Sequence, residues 1–359
     1  VSRRTSVSLG LVLAATALGV VGGSVPSSAE GSDVVPGSDP AAVAALARAV
    51  HAATSVGYSG VEVLTTSTAT GGGSASVLDV GHIPGRGTVV TLHPGAGSSS
   101  AGTFTEDGPQ AASTKAALLL QLLGRSYRLR TSAPQTVLGR PALVVSAEHV
   151  DGTPAATFWI DSRTGLLLRR VVLDDSGEPV SSVELVQLTL GSPRITSLPP
   201  MQPAPSQPAL DSGDLGVARG NGWPCPTALA GFTLFDARWA TGAGARPGGA
   251  RVLHLTYSDG LSTLSLFVQD GRLDPSVLAA TKAQQIGGRQ VHVVPSIPGE
   301  ARQLVLDAHG RVFTVVTDAP SDLVSAVVAQ LPSGDDPDAL GDRVHRGLSR
   351  MLAWANPFD

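Results

Sequence analysis

The strongest constraint on this chain is its rhythm. Short apolar runs, alternating or wholly apolar, are each cut off within a few residues by Gly, Pro or Asp-Gly, which is the pattern of strands joined by tight turns. The clearest runs are Val61 to Leu64, Ser76 to His82, Thr88 to Leu92, Ala142 to Ala147, Ala156 to Asp161, Leu166 to Leu173 and Val183 to Leu190. Ser162-Arg163-Thr164, with Gly165 relieving the backbone, joins two of them as a hairpin, and Asp174-Asp175-Ser176-Gly177 makes a second such turn. Sequential strands on short turns predict an antiparallel meander, and a helix or two must cover one face of it. Two segments have helical spacing. Asp39-Pro40 reads as an N-cap followed by Pro at the first helical position, opening a helix to about Ala53, and Thr114 to Leu123 is the second.

The same rhythm resumes further on, in Phe232 to Ala240, Arg251 to Tyr257, Leu261 to Val268, Gln290 to Val294, Gln303 to Leu306 and Val312 to Thr317. Ser258-Asp259-Gly260 and Ala308-His309-Gly310 read as turns, and Ser321 to Leu331 as a closing helix. Between the two regions lies LPPMQPAPSQP (198–208), five prolines in eleven residues, with Gly and Asp dominating up to Gly222. Such a stretch favours extended conformations and spaces domains apart. The expected organisation is therefore a segment 1–29, a first domain at 40–197, a linker at 198–222, a smaller α+β domain at 223–333, and a terminal amphipathic helix within 334–359. That last helix, Pro337 to Ala355, sets Leu340, Val344, Leu348, Met351, Leu352 and Ala355 on one stripe, with Arg343, Arg346 and Arg350 opposite.

Residues 1–29 read as an export signal. Arg3 and Arg4 precede an apolar run from Val7 to Val21 and a small-residue end at Ser27-Ser28-Ala29. The expected location is extracytoplasmic, in the periplasm or cell envelope; an uncleaved N-terminal anchor is the alternative.

The chemistry-bearing residues are sparse. One cysteine among 359 residues, Cys225, excludes an intramolecular disulfide and a cysteine-based zinc site. A net charge of -4 argues against a nucleic-acid partner, which needs a dense basic surface. The eight histidines show no i+2 or i+4 pairing, and no G-x-S-x-G elbow, H-E-x-x-H or phosphate loop occurs. Asp161 and Asp174 read as turn residues, and Cys225, between two prolines, as a small buried residue at a domain entrance. No enzyme, cofactor or metal is expected. What stands out instead is the apolar excess: Phe158-Trp159-Ile160 and Leu166-Leu167-Leu168 carry bulky groups on both strand faces, which must be covered by protein layers or by a ligand.

Four stretches resemble the MucB/RseB family of periplasmic sigma-factor regulators: LARAVHAATSVGYSGVEVL (46–64), VLGRPALVV (137–145) with FWIDSRTGLLLRRVVLD (158–174), GWPCPTALAGFTL (222–234), and the proline-rich joint. The resemblance implies an α+β chain whose N-terminal domain is a half-open antiparallel β-barrel with covering helices, similar to lipoprotein carriers of the LolA/LolB type, followed by a smaller antiparallel domain. It also implies a non-enzymatic role, binding a membrane-anchored anti-sigma factor and sensing lipid or mislocalised lipoprotein. The Gly-, Ser- and Ala-rich first domain, the proline-heavy joint and the terminal helix depart from the family pattern. A competing reading is a lipid or lipoprotein carrier. On either reading, strand alternation offers Val61, Val63, Phe158 and Ile160, with Leu118 and Leu122 of the second helix, as the lining of an apolar cavity for an acyl chain; ordinary core packing is the other reading of each.

Overall fold

The computed structural model describes residues 35–67, 73–92, 103–105, 109–191, 209–241, 251–273, 278–294 and 302–332. The expected export signal, most of the proline-rich joint and the terminal amphipathic helix lie outside them.

The chain enters through helix α1 (Pro40–Ser55). Asp39 caps it, accepting from Ala41 N at 2.8 Å and from the Thr131 hydroxyl, and these two donors hold the Asp39 carboxyl below its ordinary range. Strands β1 (Tyr58–Ser67), β2 (Gly73–Ile83), β3 (Gly87–Leu92) and β4 (Thr103–Thr105) then step outward to one edge of a sheet. Helix α2 (Pro109–Ser126) carries the chain to the opposite edge. From there β5 (Arg128–Val137), β6 (Arg140–Glu148), β7 (Pro154–Asp161), β8 (Leu167–Leu173) and β9 (Pro179–Leu190) step back until β9 pairs with β1. The result is a nine-stranded antiparallel sheet in the order β4-β3-β2-β1-β9-β8-β7-β6-β5. Among the described residues it is open, with β4 and β5 as its two edges, so the half-open barrel implied by the resemblance is not shown.

α1 and α2 pack on one face of this sheet. The small residues Ala42, Ala45 and Ala49 let α1 approach closely, and with Leu46 they bury Val145, Ala147, Phe158 and Ile160. A second cluster, Tyr58, Leu64, Leu78, Val80 and Val90, packs against Ala52 at the end of α1 and against Leu166.

The other domain repeats the strategy. After α3 (Ser212–Gly220), β10 (Ala228–Leu229), β11 (Phe232–Thr241), β12 (Arg251–Ser258) and β13 (Thr263–Asp270) run in order; β14 (Lys282–Ile286), β15 (Arg289–Val294), β16 (Arg302–Ala308) and β17 (Arg311–Thr317) return from the far edge. The sheet order is β10-β11-β12-β13-β17-β16-β15-β14, antiparallel throughout. Helix α4 (Ser321–Gln330) buries Val324, Val327 and Val328 in its core beside Leu304 and Val315.

Five elements differ from the sequence expectation, two of them the short strands β4 and β10. Part of the expected linker, residues 212–220, is α3, fixed by a capping box between Asp211 and Asp214. β5 escapes a hydrophobic reading because it is an edge strand with one buried side chain, Leu129, and a register shift around Pro134. The polar β14 is likewise an edge.

Candidate functional site

Strand register decides where the six expected lining residues go. One row runs across the sheet as Val145, Phe158, Arg170, Val183, Leu64 and Ser76; the adjacent row is Val144, Trp159, Arg169, Glu184, Val63 and Val77. Phe158 and Ile160 belong to the helix-covered face and are buried under α1. Val63 lies on the opposite face, and Val61, two residues before it, shares that side, both half-buried. Leu122 of α2 is buried and Leu118 half-buried. The structure therefore brings Phe158 and Ile160 together and sets Val61 and Val63 across the sheet from them. On the outer face Arg169 stacks over the Trp159 ring at 4.8 Å and faces Glu184 at 3.6 Å, while the indole N–H donates to Gln135 at 2.8 Å.

The turn residues of the first domain serve its hairpins. Burial pushes Asp161 up, but donors from Thr164, the Arg163 N–H and Arg140 (Nε at 2.8 Å) outweigh it and hold the carboxyl low. Asp174 accepts from Ser176 and Glu178, and the Ser176 hydroxyl is the main reason it too is held low. Three of the described histidines sit against hydroxyls or rings: His82 on Thr88 at 2.9 Å, His254 on Ser265 and stacked on Phe267, His292 on Thr281. Among the described residues no three His, Cys, Asp or Glu side chains converge to hold a metal ion.

The site that sequence reading missed is where the domains meet. The turn between β12 and β13, Ser258-Asp259-Gly260-Leu261-Ser262, builds its own scaffold. Asp259 Oδ1 accepts from Leu261 N and Ser262 N, both at 2.8 Å; Ser258 Oγ accepts from Gly260 N at 2.9 Å and donates to Ser262 O at 2.8 Å. This rigid tip enters the first domain. Asp259 Oδ2 accepts the Tyr127 hydroxyl at 2.7 Å, Arg170 donates to the Leu261 carbonyl, and the Leu261 side chain joins the cluster of α1, α2 and β7. Gly260 has φ +94° and packs so closely on Leu123 that any Cβ would overlap that backbone.

The junction is buried and charged. Arg170 is 6% exposed, and its Nε has no hydrogen-bond partner among the described residues. Burial weakens the hold of Arg170 on its proton, and Asp318 and Asp259 oppose that loss. Asp318 accepts from Thr263 N at 2.8 Å; burial raises its pKa, with the Arg170 charge pulling it back. Burial, and then the Asp259 charge, raise the Tyr127 phenol far above its ordinary value, so Tyr127 remains a donor. The cluster joins the two domains through a buried hydrogen bond from Tyr127 to Asp259 and a donation from Arg170 to the Leu261 carbonyl.

A second feature lies in the smaller domain, a groove of about 610 Å³ between α3, the Trp223–Thr227 segment and the end of α4. Cys225 sits in its wall, 3% exposed, donating to Trp223 O, and burial pushes its thiol up, the state of an unreactive cysteine. The aromatic pair Trp223 and Trp239 meets edge to face at 5.0 Å, with Arg311 over one ring and Arg251 over the other.

The MucB/RseB N-terminal domain family matches residues 95–209 of this chain. No curated protein matches it. Among solved structures it is similar to MucB in complex with MucA(peri), at 20% identity and TM-score 0.45, covering 80% of this chain and 97% of that one. It is also similar to MucB in the Pseudomonas aeruginosa MucA/MucB complex, at 19% and 0.47, covering 80% and 97%. A LolA superfamily protein from Nitrosomonas europaea aligns at 6% and 0.19, covering 77% and 90%. Among the described residues, no helix is long and apolar enough to cross a membrane.

Proposed function

We propose, on the premise that residues 95–209 carry a MucB/RseB N-terminal domain, that this chain is a non-enzymatic extracytoplasmic regulator that binds the exported segment of a membrane-anchored anti-sigma factor. The family match is the observation that carries the reading. The geometry supports it: the polar residues buried between the domains are spent on holding two sheets in one arrangement, which suits a receptor for a polypeptide. Rigid placement lowers the ordering cost of binding a segment that touches both domains. Release then follows from loosening the junction of Tyr127, Arg170 and Asp259.

Lipid enters this function as a second ligand. Phe158 and Ile160 are covered by α1 and α2, so an acyl chain reaches them only by displacing a helix, with Leu118 and Leu122 moving out on α2. Such displacement would connect lipid binding to the junction, since Leu123 of α2 is the residue on which Gly260 rests.

The test is titration of the full chain with the extracytoplasmic segment of a single-pass anti-sigma factor encoded beside it, followed by calorimetry and by proteolysis of the segment. Saturable binding with protection of the segment is expected, weakened by Asp259→Asn. Absence of heat and of protection would overturn the regulator reading, and acyl adducts in native mass spectra without segment binding would turn it into a carrier.

A further inference from the structure

We propose that one end of the nine-stranded sheet is a contact surface for an anionic phospholipid membrane, made by Arg48, Arg86, Arg163 and Leu138. Strand register gathers this end. Tyr58 pairs with both His82 and Leu190, Ile83 with Gly87, and Val137 with Arg140. Ala142 pairs with Asp161, and Ile160 with Leu167. In an antiparallel sheet these pairs set the β2–β3, β5–β6 and β7–β8 turns and the end of β9 at the same end. The turns also abut. A Cβ on Gly57 would sit 3.2 Å from both Pro84 and the Gly191 carbonyl, and one on Gly165 would sit 3.1 Å from the Arg48 carbonyl. Ser162 N donates to Pro141 O at 2.9 Å, tying the β7–β8 turn to the β5–β6 hairpin.

Charge and apolar exposure select the partner. Arg86 is in the β2–β3 turn, Arg163 in the β7–β8 turn and Arg48 on α1 beside it. All three are exposed, and none has an ion-pair or hydrogen-bond partner for its side chain among the described residues. The carboxylate at these turns, Asp161, is buried and already held by Arg140 at 2.8 Å. The opposite end, where Arg128 pairs with Glu148 and Leu173 with Pro179, has the acidic turns of Asp151, Asp174, Asp175 and Glu178. Counting strands at about 4.8 Å each, Arg86 and Arg163 are about 19 Å apart along the sheet, and Arg163 and Leu138 about 10 Å. Cations spread over such a front suit a plane of headgroups better than one small anion. Leu138 adds the apolar part. With Gly139 it forms a two-residue turn with φ of +51° and +67°, a geometry that favours Asn-Gly or Asp-Gly. A leucine there is strained and 40% exposed, a cost that asparagine would avoid; Leu190, at the end of β9, is 41% exposed. Together they offer apolar groups to the headgroup layer while the arginines meet lipid phosphates. The contact needs no anti-sigma partner, so it stands apart from the regulator reading.

The experiment uses the full chain with an environment-sensitive fluorophore on Leu138→Cys or, at the opposite end, on Val150→Cys, a residue 67% exposed in the β6–β7 turn. Cys225 is buried and should stay unlabelled in the parent chain. Vesicles of equal parts phosphatidylglycerol and phosphatidylcholine should shift the Leu138→Cys label to the blue and leave the Val150→Cys label in water. Pure phosphatidylcholine should give no shift, and about 0.5 M salt should reverse it. Adding Arg48→Gln, Arg86→Gln or Arg163→Gln should weaken partitioning about fivefold each, and all three together about a hundredfold. Should Leu138→Cys fail to fold, Ser162→Cys, exposed in the neighbouring turn, carries the label with the same expected shift. Equal shifts at the two ends, a shift as large on neutral vesicles, or no shift at all would overturn the proposal. Binding of soluble polyglutamate without a shift on vesicles would overturn it too, assigning this end to an acidic polypeptide.

Discussion

Tyr127, just past α2, and Asp259, in the turn between β12 and β13, share a buried hydrogen bond of 2.7 Å that joins the two domains. Asp259 already satisfies two turn N–H groups through Oδ1, so Tyr127 is the donor that completes Oδ2. Tyr127→Phe leaves a buried carboxylate oxygen without that donor at almost constant volume. We expect a loss of about 1–3 kcal/mol in denaturant unfolding of the full chain, with Asp259→Asn recovering part of it in the double variant, because an uncharged amide tolerates the missing donor better. Equal and additive losses would show that the two side chains act independently.

Arg170 tests the same junction from the other side. A guanidinium this buried, donating to the Leu261 carbonyl and balanced by Asp318 and Asp259, cannot be removed cheaply, since its anionic partners lose their counter-charge. Arg170→Ala should cost about 3–5 kcal/mol. Arg170→Met, which restores apolar volume, should not rescue it, and this separates a charge role from a packing role. Thermal unfolding followed by calorimetry is the readout, and the loss of domain coupling should split one transition into two.

Much of this fold was legible in advance. Asp39-Pro40 marked the start of α1, and Gly165 and Gly177, both with positive φ, marked hairpins where the turn chemistry asked for them. The side that each strand presents was less so. Alternation orders residues within a strand, but which face of one strand joins which face of the next is fixed only by pairing, and shifts at Val61/Glu62 and Trp159/Ile160 reset the register beyond the rows that carry Val63 and Phe158. The junction left no local trace. Tyr127, Arg170 and Asp259 are far apart in sequence, and Ser258-Asp259-Gly260 reads as an ordinary turn until Leu123 is found beneath the glycine. α3, nine residues with three glycines, hid behind its composition, although Asp211 and Asp214 carried a capping signal.

The division of faces gives a direct comparison. Phe158→Ala removes a ring from the cluster under α1 and should cost about 3–5 kcal/mol. Val63→Ala, on the half-buried outer face, should cost much less, about 1 kcal/mol. Urea midpoints at constant slope decide it; similar losses would mean that both residues line one interior after all.

Gly260→Ala should be among the most disruptive glycine substitutions of the described residues. The substitution is strained twice, once by φ +94° and once by overlap with the Leu123 backbone, so neither a rotamer change nor a side-chain shift relieves it. We expect at least about 1–3 kcal/mol of destabilisation together with faster proteolysis between the domains, whereas Gly177→Ala, with a similar φ of +84° but open space around it, should pay only the backbone term.

His82 supplies the pH dependence. It is 4% exposed, bonded through Nδ1 to Thr88, and burial holds its pKa below the ordinary value of 6.5. In the unfolded chain the same imidazole takes up a proton near 6.5. Between that pH and the lower folded value, the unfolded state therefore binds more protons, and stability rises with pH. The contribution is complete above pH 6.5 and is lost as pH falls through the folded pKa. Urea midpoints measured from about pH 7.5 down to about pH 5 should fall, and His82→Asn should flatten that slope while lowering stability at the upper end. A slope unchanged by the substitution would show that His82 is not the source of the acid sensitivity. Asp318 cannot supply it either, because burial raises its pKa, so its contribution is present at low pH and lost as pH rises, the opposite sign.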